Sequence, residues 1–462
     1  MNSGRELLRT AVAGSDTIIA LGTPAGRGAI AVVRLSGDRA IEIAARHISP
    51  WPITPREVQL CTLRGADGVL DQALVALYVE PESFTGEDVV EIFSHGGYVV
   101  PASIIAAMIG SGARQALPGE FTRRAVLNGK LDIVQAEAIG DLIDARSGAM
   151  QRAALYQLEG GLSARIASVR EDVLRLESLI AYDIDFPEED DGPISAERIS
   201  DAANSLFNVL DRLVSTIPLG KIIQEGAVVV IAGEPNVGKS SLFNAVLGEQ
   251  RAIVTEISGT TRDAIEAVID TGKWPIRLID TAGLRVSDDT VEKLGIEVSE
   301  RHITGAQVVL ACGDTDESLM KTRAVVSSLS SASVIEVLTK KDLRDGTTLV
   351  RASTSSNAIS VSATTGEGLE MLHREIDKVL DRDYGEIVID TPLLVRARHI
   401  HAISRAKEEI ESFTAAWKEG GLPAPVAAVH LRSAAVALED IIGAVSTEDV
   451  LERVFSSFCV GK

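Results

Sequence analysis

The chain has 462 residues, more than one ordinary hydrophobic core accommodates, so we expect two or three domains. Hydrophobic residues make up 45% and charged residues 24% of the composition, which excludes an intrinsically disordered chain. The formal net charge of −21 argues against a protein that coats nucleic acid through a broad basic face, while a selective contact through a small basic patch stays open.

The N-terminal part of the chain predicts a small α+β domain over 1–119. Residues 1–15 lack the apolar segment of a signal peptide, and no apolar run reaches bilayer length, so we expect a cytoplasmic protein without membrane association. A helix is expected to end near Gly110. The strand-like segments are 16–21, 29–35, 73–79 and 89–93.

Helices dominate from about residue 120. Apolar residues spaced three and four apart predict one long amphipathic helix, which Gly160 and Gly161 weaken by about 1 kcal/mol each. Another helix runs to about Val214. The apolar positions of the long helix are Leu155, Leu158, Leu162, Ile166, Val169, Val173, Leu176 and Ile180.

Strands and helices alternate over 220–382, as in a doubly wound α/β domain, and helices return after 390–392. The simplest arrangement is an α/β P-loop domain inserted in one α-helical domain, 120–219 and 383–462, with two separate helical domains as the alternative. Ser446 resembles the start of a capping box for a last helix. One apolar face of the returning helices holds Ile400, Ile403, Ile410, Phe413 and Trp417, and another holds Val429, Val436 and Leu438.

The segment VVVIAGEPNVGKSSLFNAVLG, residues 228–248, predicts a nucleoside triphosphate site. A β-branched run leads into G-x-x-x-x-G-K-S at 233–240 and then into apolar residues at helical spacing, so that loop N–H groups and a helix N-terminus hold phosphates. Lys239 is expected to reach the β- and γ-phosphates, and the Ser240 hydroxyl to bind Mg²⁺. Further contacts are expected from Asn236, Val237, Gly238 and Ser241.

Two later segments are placed like the switch loops of a GTPase. A threonine in the polar segment 258–263 can complete the Mg²⁺ shell and sense the γ-phosphate. A strand over 276–279 ends in D-x-x-G, which places a carboxylate behind Mg²⁺ and a glycine N–H near the γ-phosphate. The candidate residues are Thr255, Thr260, Thr261, Asp280, Thr281, Ala282 and Gly283.

The sequence T-K-K-D at 339–342 favours guanine as the base. The Asp342 carboxylate can accept both the N1–H and the exocyclic amine of guanine, whereas adenine offers no matching pair. A charged surface turn is the competing interpretation, but the motif follows a strand, and Ser362 and Ala363 follow another. Thr339, next to Lys340, replaces the commoner asparagine, a change that can loosen nucleotide binding.

Hydrolysis needs a group that the switch sequence lacks. Leu284 follows Gly283, where many switch GTPases have a glutamine that orients water. No arginine lies in the P-loop either. The side-chain oxygen of Asn236 can hold a monovalent cation that supplies the missing charge, and a local turn residue is the alternative.

The three cysteines do not form a metal site. Cys61 and Cys312 lie in apolar runs that predict core positions, and the odd count suits a reducing compartment. No pair has metal-ligand spacing.

Motifs outside the nucleotide site resemble the MnmE (TrmE) family of tRNA-modification GTPases, and the resemblance covers nearly the whole chain. The terminal 458–462, FCVGK, matches the family's C-[IV/L]-G-K ending. The other motifs are D-T-I at 16–18 with G-R-G at 26–28, F-T-G-E-D at 84–88, H-G-G at 95–97, P-G-E-F at 118–121, K-L-D at 130–132 and Q-A-E-A at 135–138.

The resemblance implies a homodimer through the N-terminal domains, with a formyl- or methylene-tetrahydrofolate bound there. It also implies a flavin-dependent partner, a heterotetramer with it, and the addition of an aminomethyl-type (carboxymethylaminomethyl) group to carbon 5 of the wobble uridine of tRNA. The residues that match the family's folate contacts are Arg34, Glu91, Lys130 and Lys462.

The resemblance further implies that K⁺ activates GTP hydrolysis and drives dimerisation of the GTPase domains. Ser240 and Thr261 match the Mg²⁺ ligands, and Glu292 matches the glutamate that orients the attacking water. Cys459, near the end of the chain, is a candidate for a direct covalent role. The residues that match the K⁺ ligands are Asn236, Thr255, Ile257 and Thr260.

Three functions remain in competition at this point. The first is a GTPase enzyme of tRNA wobble modification, the second a GTP switch in ribosome assembly, and the third a nucleotide-gated scaffold with negligible hydrolysis. The folate-type N-terminal domain and the Cys459 tail favour the first over the second. A turnover assay separates the third.

Overall fold

The computed structural model describes residues 16–185, 196–249, 265–270, 273–280, 301–343, 358–385, 392–418 and 424–443, with 454–455, 458 and 460–461 near the C-terminus. It divides into two compact units, which are described separately. One comprises Met1–Gly140 with Glu439–Lys462, and the other Asp141–Leu438. Residues 120–140 and 439–462, assigned from sequence to the helical domain, thus group with the N-terminal unit. The domain bounds themselves stay a prediction.

A seven-stranded sheet in the order β3-β4-β5-β6-β2-β1-β7 forms the centre of the N-terminal unit. All neighbouring pairs are antiparallel except β1 and β7. The strands are β1 (Ile18–Leu21), β2 (Gly26–Ser36), β3 (Ile48–Ser49), β4 (Val58–Gly65), β5 (Gly68–Tyr78), β6 (Val89–Gly97) and β7 (Arg114–Gln115). Four of these strands are predicted from the sequence, whereas β3, β4 and β7 are not.

One face of this sheet is buried and the other is largely exposed. On the buried face, helices α1 (Ala40–Ala45) and α2 (Val99–Gly110) pack on alternate strand residues such as Cys61 and Val75. Alternation sends the intervening side chains to the opposite face. There Leu60 and Leu74, partners across β4 and β5, are 63% and 44% exposed.

The end of the chain packs against the start of the same unit. Helix α3 (Glu120–Leu127) and helix α4 (Ile133–Asp144) follow the sheet. Phe455 packs with Ile133 on α4, and Val460 forms a backbone bridge with Pro118. The capping box at Ser446 lies outside the described residues.

Among the described residues, the helices next to the second sheet in sequence are α5 (Gly148–Leu158), α6 (Gly161–Asp185), α7 (Ala196–Val214) and α8 (Ile217–Glu225) before it, and α12 (Ala397–Lys418) and α13 (Ala424–Ile442) after it. Helix α7 packs against α12, and Gln157 donates to the carbonyl of Leu393 at 3.3 Å. Helices that precede and follow the sheet in sequence are therefore in direct contact.

Two sequence expectations for these helices were wrong. The long helix is two helices, because Gly160 has a φ of 87°, the left-handed conformation that ends a helix. Val429 and Val436 are 60% and 46% exposed, so they do not belong with the buried Leu438. The apolar face around Ile403, Ile410 and Phe413 is confirmed, since all three are fully buried.

The second sheet has the strand order β13-β12-β11-β8-β10-β9. Its pairs are parallel except for the hairpin of β9 and β10. Apolar clusters lie on both faces, which explains why β8 reads as an unbroken apolar run. The strands are β8 (Ala227–Gly233), β9 (Ile265–Asp270), β10 (Pro275–Asp280), β11 (Val308–Gly313), β12 (Ser333–Leu338) and β13 (Ile359–Ser360).

Among the described residues, the helices that pack on this sheet include α9 (Lys239–Glu249), α10 (Asp316–Leu329) and α11 (Leu369–Tyr384). Cys61 and Cys312 are buried, as the sequence indicated, and burial raises the pKa of the Cys312 thiol to about 12. Within the described residues, no helix has the length and apolar character needed to cross a bilayer.

Candidate functional site

The P-loop joins β8 to α9 with two residues in the left-handed region. Asn236 has a φ of 67° and Gly238 a φ of 100°, and these turns of the backbone suit N–H groups that line an anion site. A Cβ at Gly233 would lie 2.5 Å from the carbonyl oxygen of Cys312 on β11, so only glycine fits there. Ser240 and Ser241 are exposed in the first turn of α9.

Lys239 is buried at the mouth of this loop. Its ammonium group donates to the carbonyl oxygens of Gly233 and Glu234, both at 2.9 Å. A phosphate oxygen would compete with these carbonyls for the same protons. The ammonium group of Lys239 thus lies within the loop, and its contact with phosphate stays a prediction.

Asp280 ends β10 and is fully buried beside the P-loop strand. Asp280 is the parallel-register partner of Ile231 on β8, which lies two positions before Gly233. A carboxylate at this point lies behind the phosphate loop, the position from which the D-x-x-G motif supports Mg²⁺. Of the described residues, none form a cluster of three or more His, Cys, Asp or Glu that could hold a metal by themselves.

The base-recognition segment is fastened to the P-loop by Thr339. Its buried hydroxyl lies within hydrogen-bond distance of the carbonyl oxygens of Val237 and Gly313, the latter at 3.2 Å. Lys340 has a φ of 56°, and its ammonium group pairs with Asp314 at 3.0 Å. The segment thus crosses from β12 to the phosphate loop.

Asp342 lies in a 3-10 turn, Lys341–Leu343, with its side chain exposed. The hydroxyl of Ser362 donates to its Oδ1 at 2.7 Å and accepts the backbone N–H of Thr365 at 3.2 Å. Ala363 follows Ser362 and is half-buried. The structure therefore brings the two base-recognition segments together and holds one carboxylate oxygen of Asp342 in place.

Several predicted residues of the nucleotide site lie outside the described residues: Thr255, Ile257, Thr260, Thr261, Thr281, Ala282, Gly283 and Glu292. Cys459 and Lys462 do so as well. Their roles stay predictions.

Arg34 and Glu91 face each other in the N-terminal sheet. They are direct partners across β2 and β6, and their side chains form an ion pair of 2.7 Å. The Arg34 guanidinium lies 5.6 Å from the ring centre of Phe84 and 5.7 Å from that of Phe121, distances at which cation–π attraction operates. The sequence pointed to both motifs but did not single out these two rings.

Lys130 reaches the same loop that carries Phe84. Its ammonium group donates to the Pro81 carbonyl at 2.9 Å, and a Cβ at Gly86 would lie 3.3 Å from its Cγ. The loop therefore brings three of the four predicted folate residues to one region of the unit.

The C-terminal tail reaches the neighbouring strand. Ala20 on β1 is the direct partner of Arg34 on β2. A Cβ at Gly461 would lie 2.2 Å from the carbonyl oxygen of the next residue, Leu21, so the tail packs against the strand backbone. The described end of the tail, Val460–Gly461, is thus held beside the sheet that carries Arg34.

An ion network missed by the sequence analysis supports this region. Arg124 on α3 bonds to Glu87 at 3.1 Å, to Asp16 at 2.8 Å and to Glu120 at 3.1 Å, while Arg114 pairs with the last two. Burial disfavours the charged carboxylates, but the two guanidinium groups outweigh it and lower the pKa of Asp16 and of Glu120. The network links α3 to the loop that carries Phe84.

Two family models match the chain. The model described as the MnmE helical domain matches residues 133–459, and the model described as the GTP-binding protein TrmE N-terminus matches residues 17–130. Together they extend over most of the sequence.

Curated relatives are similar over almost the full length. A tRNA modification GTPase MnmE from Moorella thermoacetica is 40% identical, with 97% of this chain and 99% of the relative covered. The protein of the same description from Aquifex aeolicus is 38% identical over 97% of this chain and 100% of its own. That from Neisseria meningitidis serogroup C is 40% identical over 96% and 99%.

Among solved structures, the G domain of the T. maritima FeoB iron transporter covers 33% of this chain and 98% of its own at 26% identity, with a TM-score of 0.27.

Proposed function

The chain belongs to the MnmE family of tRNA modification GTPases, and we propose that it hydrolyses GTP in the modification of the wobble uridine of tRNA. The observation that carries this proposal is the joined nucleotide site in a chain with full-length similarity to these enzymes. Nucleoside analysis of tRNA from cells that lack the protein tests it. Wobble uridines that are unchanged in those cells would overturn the assignment and leave a switch in ribosome assembly as the better interpretation.

Guanine is selected, in this proposal, by Asp342. Its Oδ1 already accepts from Ser362 at 2.7 Å, so an asparagine oxygen can keep that bond while the carboxylate is lost. Asp342→Asn should weaken GTP binding and raise the relative affinity for xanthosine triphosphate, which presents the complementary edge. A variant that prefers GTP as strongly as the parent would refute this assignment.

Potassium is proposed to supply the positive charge that no P-loop arginine supplies. Asn236 lies exposed at the tip of the P-loop in a left-handed conformation, where it would hold the cation together with Thr255, Ile257 and Thr260. The ion would stabilise negative charge on the phosphates. Mg²⁺ would be held by Ser240 and Thr261, with Asp280 behind them, and Glu292 would orient the attacking water.

Rates in KCl and NaCl at matched ionic strength test the cation. The smaller Na⁺ leaves oxygens too distant to coordinate well, so hydrolysis should be fast in K⁺ and slow in Na⁺. Asn236→Ala should lose the K⁺ response and nucleotide-driven dimerisation, whereas Glu292→Ala should keep dimerisation and lose turnover. Equal rates in the two salts would leave Asn236 as a turn residue.

A tetrahydrofolate is proposed to bind the N-terminal unit and to supply the one-carbon group. Support comes from Arg34, held between Phe84 and Glu91, and from Lys130, whose ammonium group donates to Pro81 on the loop that carries Phe84. An arginine and a lysine suit the carboxylates of a folate tail. Lys462 and Cys459 would join the site from the tail, with a covalent role for Cys459 as a further hypothesis.

Calorimetric titration with a formyl-tetrahydrofolate tests this site. Arg34→Ala should bind the folate more weakly and hydrolyse GTP at the parent rate, because the P-loop lies in the other unit. Equal folate affinity in both proteins would reject the assignment.

The remaining proposals concern assembly and place. We infer a cytoplasmic homodimer through the N-terminal units that works with a flavin-dependent partner in a heterotetramer. The exposed apolar face around Leu60 and Leu74 supports the homodimer. The contact of α7 with α12 supports insertion of the P-loop domain, 220–382, into one helical domain.

A further inference from the structure

A groove among the helices contains two arginines that the nucleotide and folate sites do not use. It has a volume of about 460 Å³, and its lining includes Tyr156, Arg165, Ser168, Arg212 and Thr216. Space of this size equals roughly fifteen water molecules at about 30 Å³ each. Both arginines and Ser168 are exposed, so the groove is open to solvent.

The two guanidinium groups in this groove have no anionic partner among the described residues. The acidic neighbour of Arg212 in sequence, Asp211, pairs instead with Lys407 at 2.6 Å. On α6, Asp172 pairs with Arg175 at 3.2 Å. No carboxylate lines the groove in the part of the chain that the structure describes. It is therefore a positive site in a protein whose formal net charge is −21.

The chemistry of the groove fits a phosphate. Two like charges that share a groove repel each other, and an anion between them removes that repulsion. The planar N–H fork of arginine matches phosphate oxygens, and the hydroxyls of Tyr156 and Ser168 are further donors. The first turn of α6, at Gly161 and Ala164, adds a partial positive charge to the field of the arginines.

The groove also has a fixed wall. A Cβ at Gly161 would lie 2.3 Å from Cζ of Tyr156, so the ring packs directly on the glycine backbone. The ring thus rests on the start of α6 at the edge of the groove. A preorganised wall lowers the entropy cost of binding a ligand.

We propose that this groove binds a phosphate group, and that the phosphodiester backbone of the substrate RNA supplies it. The choice of RNA as the ligand rests on the proposed tRNA substrate, whereas the choice of a phosphate group depends only on the residues of the groove. Free inorganic phosphate has the same oxygens, and the experiment below distinguishes it from RNA. A local basic groove also reconciles selective RNA contact with the acidic composition of the chain.

The test compares two double variants of the full chain with equal charge change. Arg165→Gln with Arg212→Gln removes both groove arginines, and Arg175→Gln with Arg405→Gln removes two exposed arginines elsewhere on α6 and α12. Binding of an unmodified tRNA transcript and of inorganic phosphate is measured separately, with GDP present to fill the nucleotide site. Thermal unfolding midpoints verify that both variants are folded.

The groove variant should bind tRNA about tenfold more weakly, with a salt slope shallower by roughly 0.7 to 0.9 for each phosphate that the protein no longer neutralises. The control should stay within about twofold of the parent. If the groove variant binds tRNA more weakly, with or without a loss of inorganic phosphate binding, the ligand is the RNA backbone. If it loses only the binding of inorganic phosphate, the ligand is a small anion. A groove variant that matches the control in both arms overturns the proposal.

GTP hydrolysis and wobble-uridine content are read in the same variants. Hydrolysis should equal that of the parent, because none of the four arginines belongs to the nucleotide site. A failed wobble-uridine assignment would appear in cells that lack the protein, whereas a failed groove assignment would appear only in these binding curves.

Discussion

Thr339 shows how one side chain can join two parts of a nucleotide site. The sequence suggested that a threonine at this position loosens nucleotide binding, and the structure shows a buried hydroxyl between the carbonyls of Val237 and Gly313. A hydroxyl has one proton, so it serves one carbonyl at a time and remains close to the other. The threonine therefore fastens the base-recognition segment to the phosphate loop.

Thr339→Val should bind GDP about tenfold more weakly, because valine keeps the shape and leaves buried carbonyls without their donor. The loss of such a bond costs about 1–3 kcal/mol. Calorimetric titration with GDP measures the change, and Thr365→Val, an exposed position in the turn after Ser362, is the control. If both variants bind GDP alike, Thr339 is not the fastening residue.

At this scale, the sequence predicted local motifs and missed long-range partners. Gly238, Lys239 and Asp342 lie in short motifs whose spacing carries their chemistry. Asp16 and Arg124 are 108 residues apart, and no periodicity in the chain reports that they meet. They meet only when α3 packs on β1 through Phe121.

The short helix α3 is held by charges that depend on pH. Its Arg124 contacts three carboxylates, and the pKa of Asp16 and of Glu120 is lowered in the folded state. A lowered folded pKa gives stability that is present above the unfolded pKa, about 3.9 for Asp and 4.3 for Glu, and is lost as pH falls through the folded pKa. The N-terminal unit should therefore lose stability below about pH 4.5.

Arg124→Met should move the acid unfolding midpoint of this unit to higher pH. Removal of Arg124 takes the guanidinium away from Glu87 and leaves Asp16 and Glu120 with Arg114 as their remaining partner, at a cost of about 1–3 kcal/mol at neutral pH. Circular dichroism across an acid titration measures the midpoint. Arg46→Met, which breaks an exposed pair with Glu42 on α1, is the control and should leave it unchanged.

Among the helices and strands, the largest difference from the sequence prediction is the break between α5 and α6, where one long helix was expected. Apolar spacing continues through Gly160 and Gly161, and spacing cannot report a left-handed residue or a ring packed on a glycine. Gly161→Ala should destabilise the helices by about 1–3 kcal/mol, because the new Cβ meets the ring of Tyr156.

Urea unfolding measures this change against a second glycine. Gly248 lies in α9, and a Cβ added there would have no contact within 4 Å outside its own helix backbone, so Gly248→Ala should stabilise by about 0.5–1 kcal/mol. The two substitutions add the same methyl group and should have opposite signs. Equal effects would mean that contact with Tyr156 does not matter in solution.

Across the whole molecule, the order of strand and helix patterns predicted an α+β region, a helical region and an α/β region with a P-loop. The described residues include all three. On β4, which the sequence did not reveal, and on β5, alternate side chains lie on the face that points away from the core. What covers that face is not encoded in alternation, because an exposed apolar side chain looks the same whether it meets water or another chain. The answer requires measurement of assembly.

The last prediction concerns that face. Leu60, Leu74 and Phe93 form one row across three strands, by direct register, and the first two are 63% and 44% exposed. A lysine at position 60 would place a charge in the centre of an apolar interface, where burial without a partner is costly. Leu60→Lys should therefore turn the proposed homodimer into a monomer at micromolar concentration in sedimentation velocity.

Val429→Lys adds the same charge at a site of similar exposure, 60%, on α13 of the other unit and should remain dimeric. Dimerisation of both variants would place the interface elsewhere on the N-terminal unit, and loss of the dimer in both would show that added charge alone, and not this face, controls assembly.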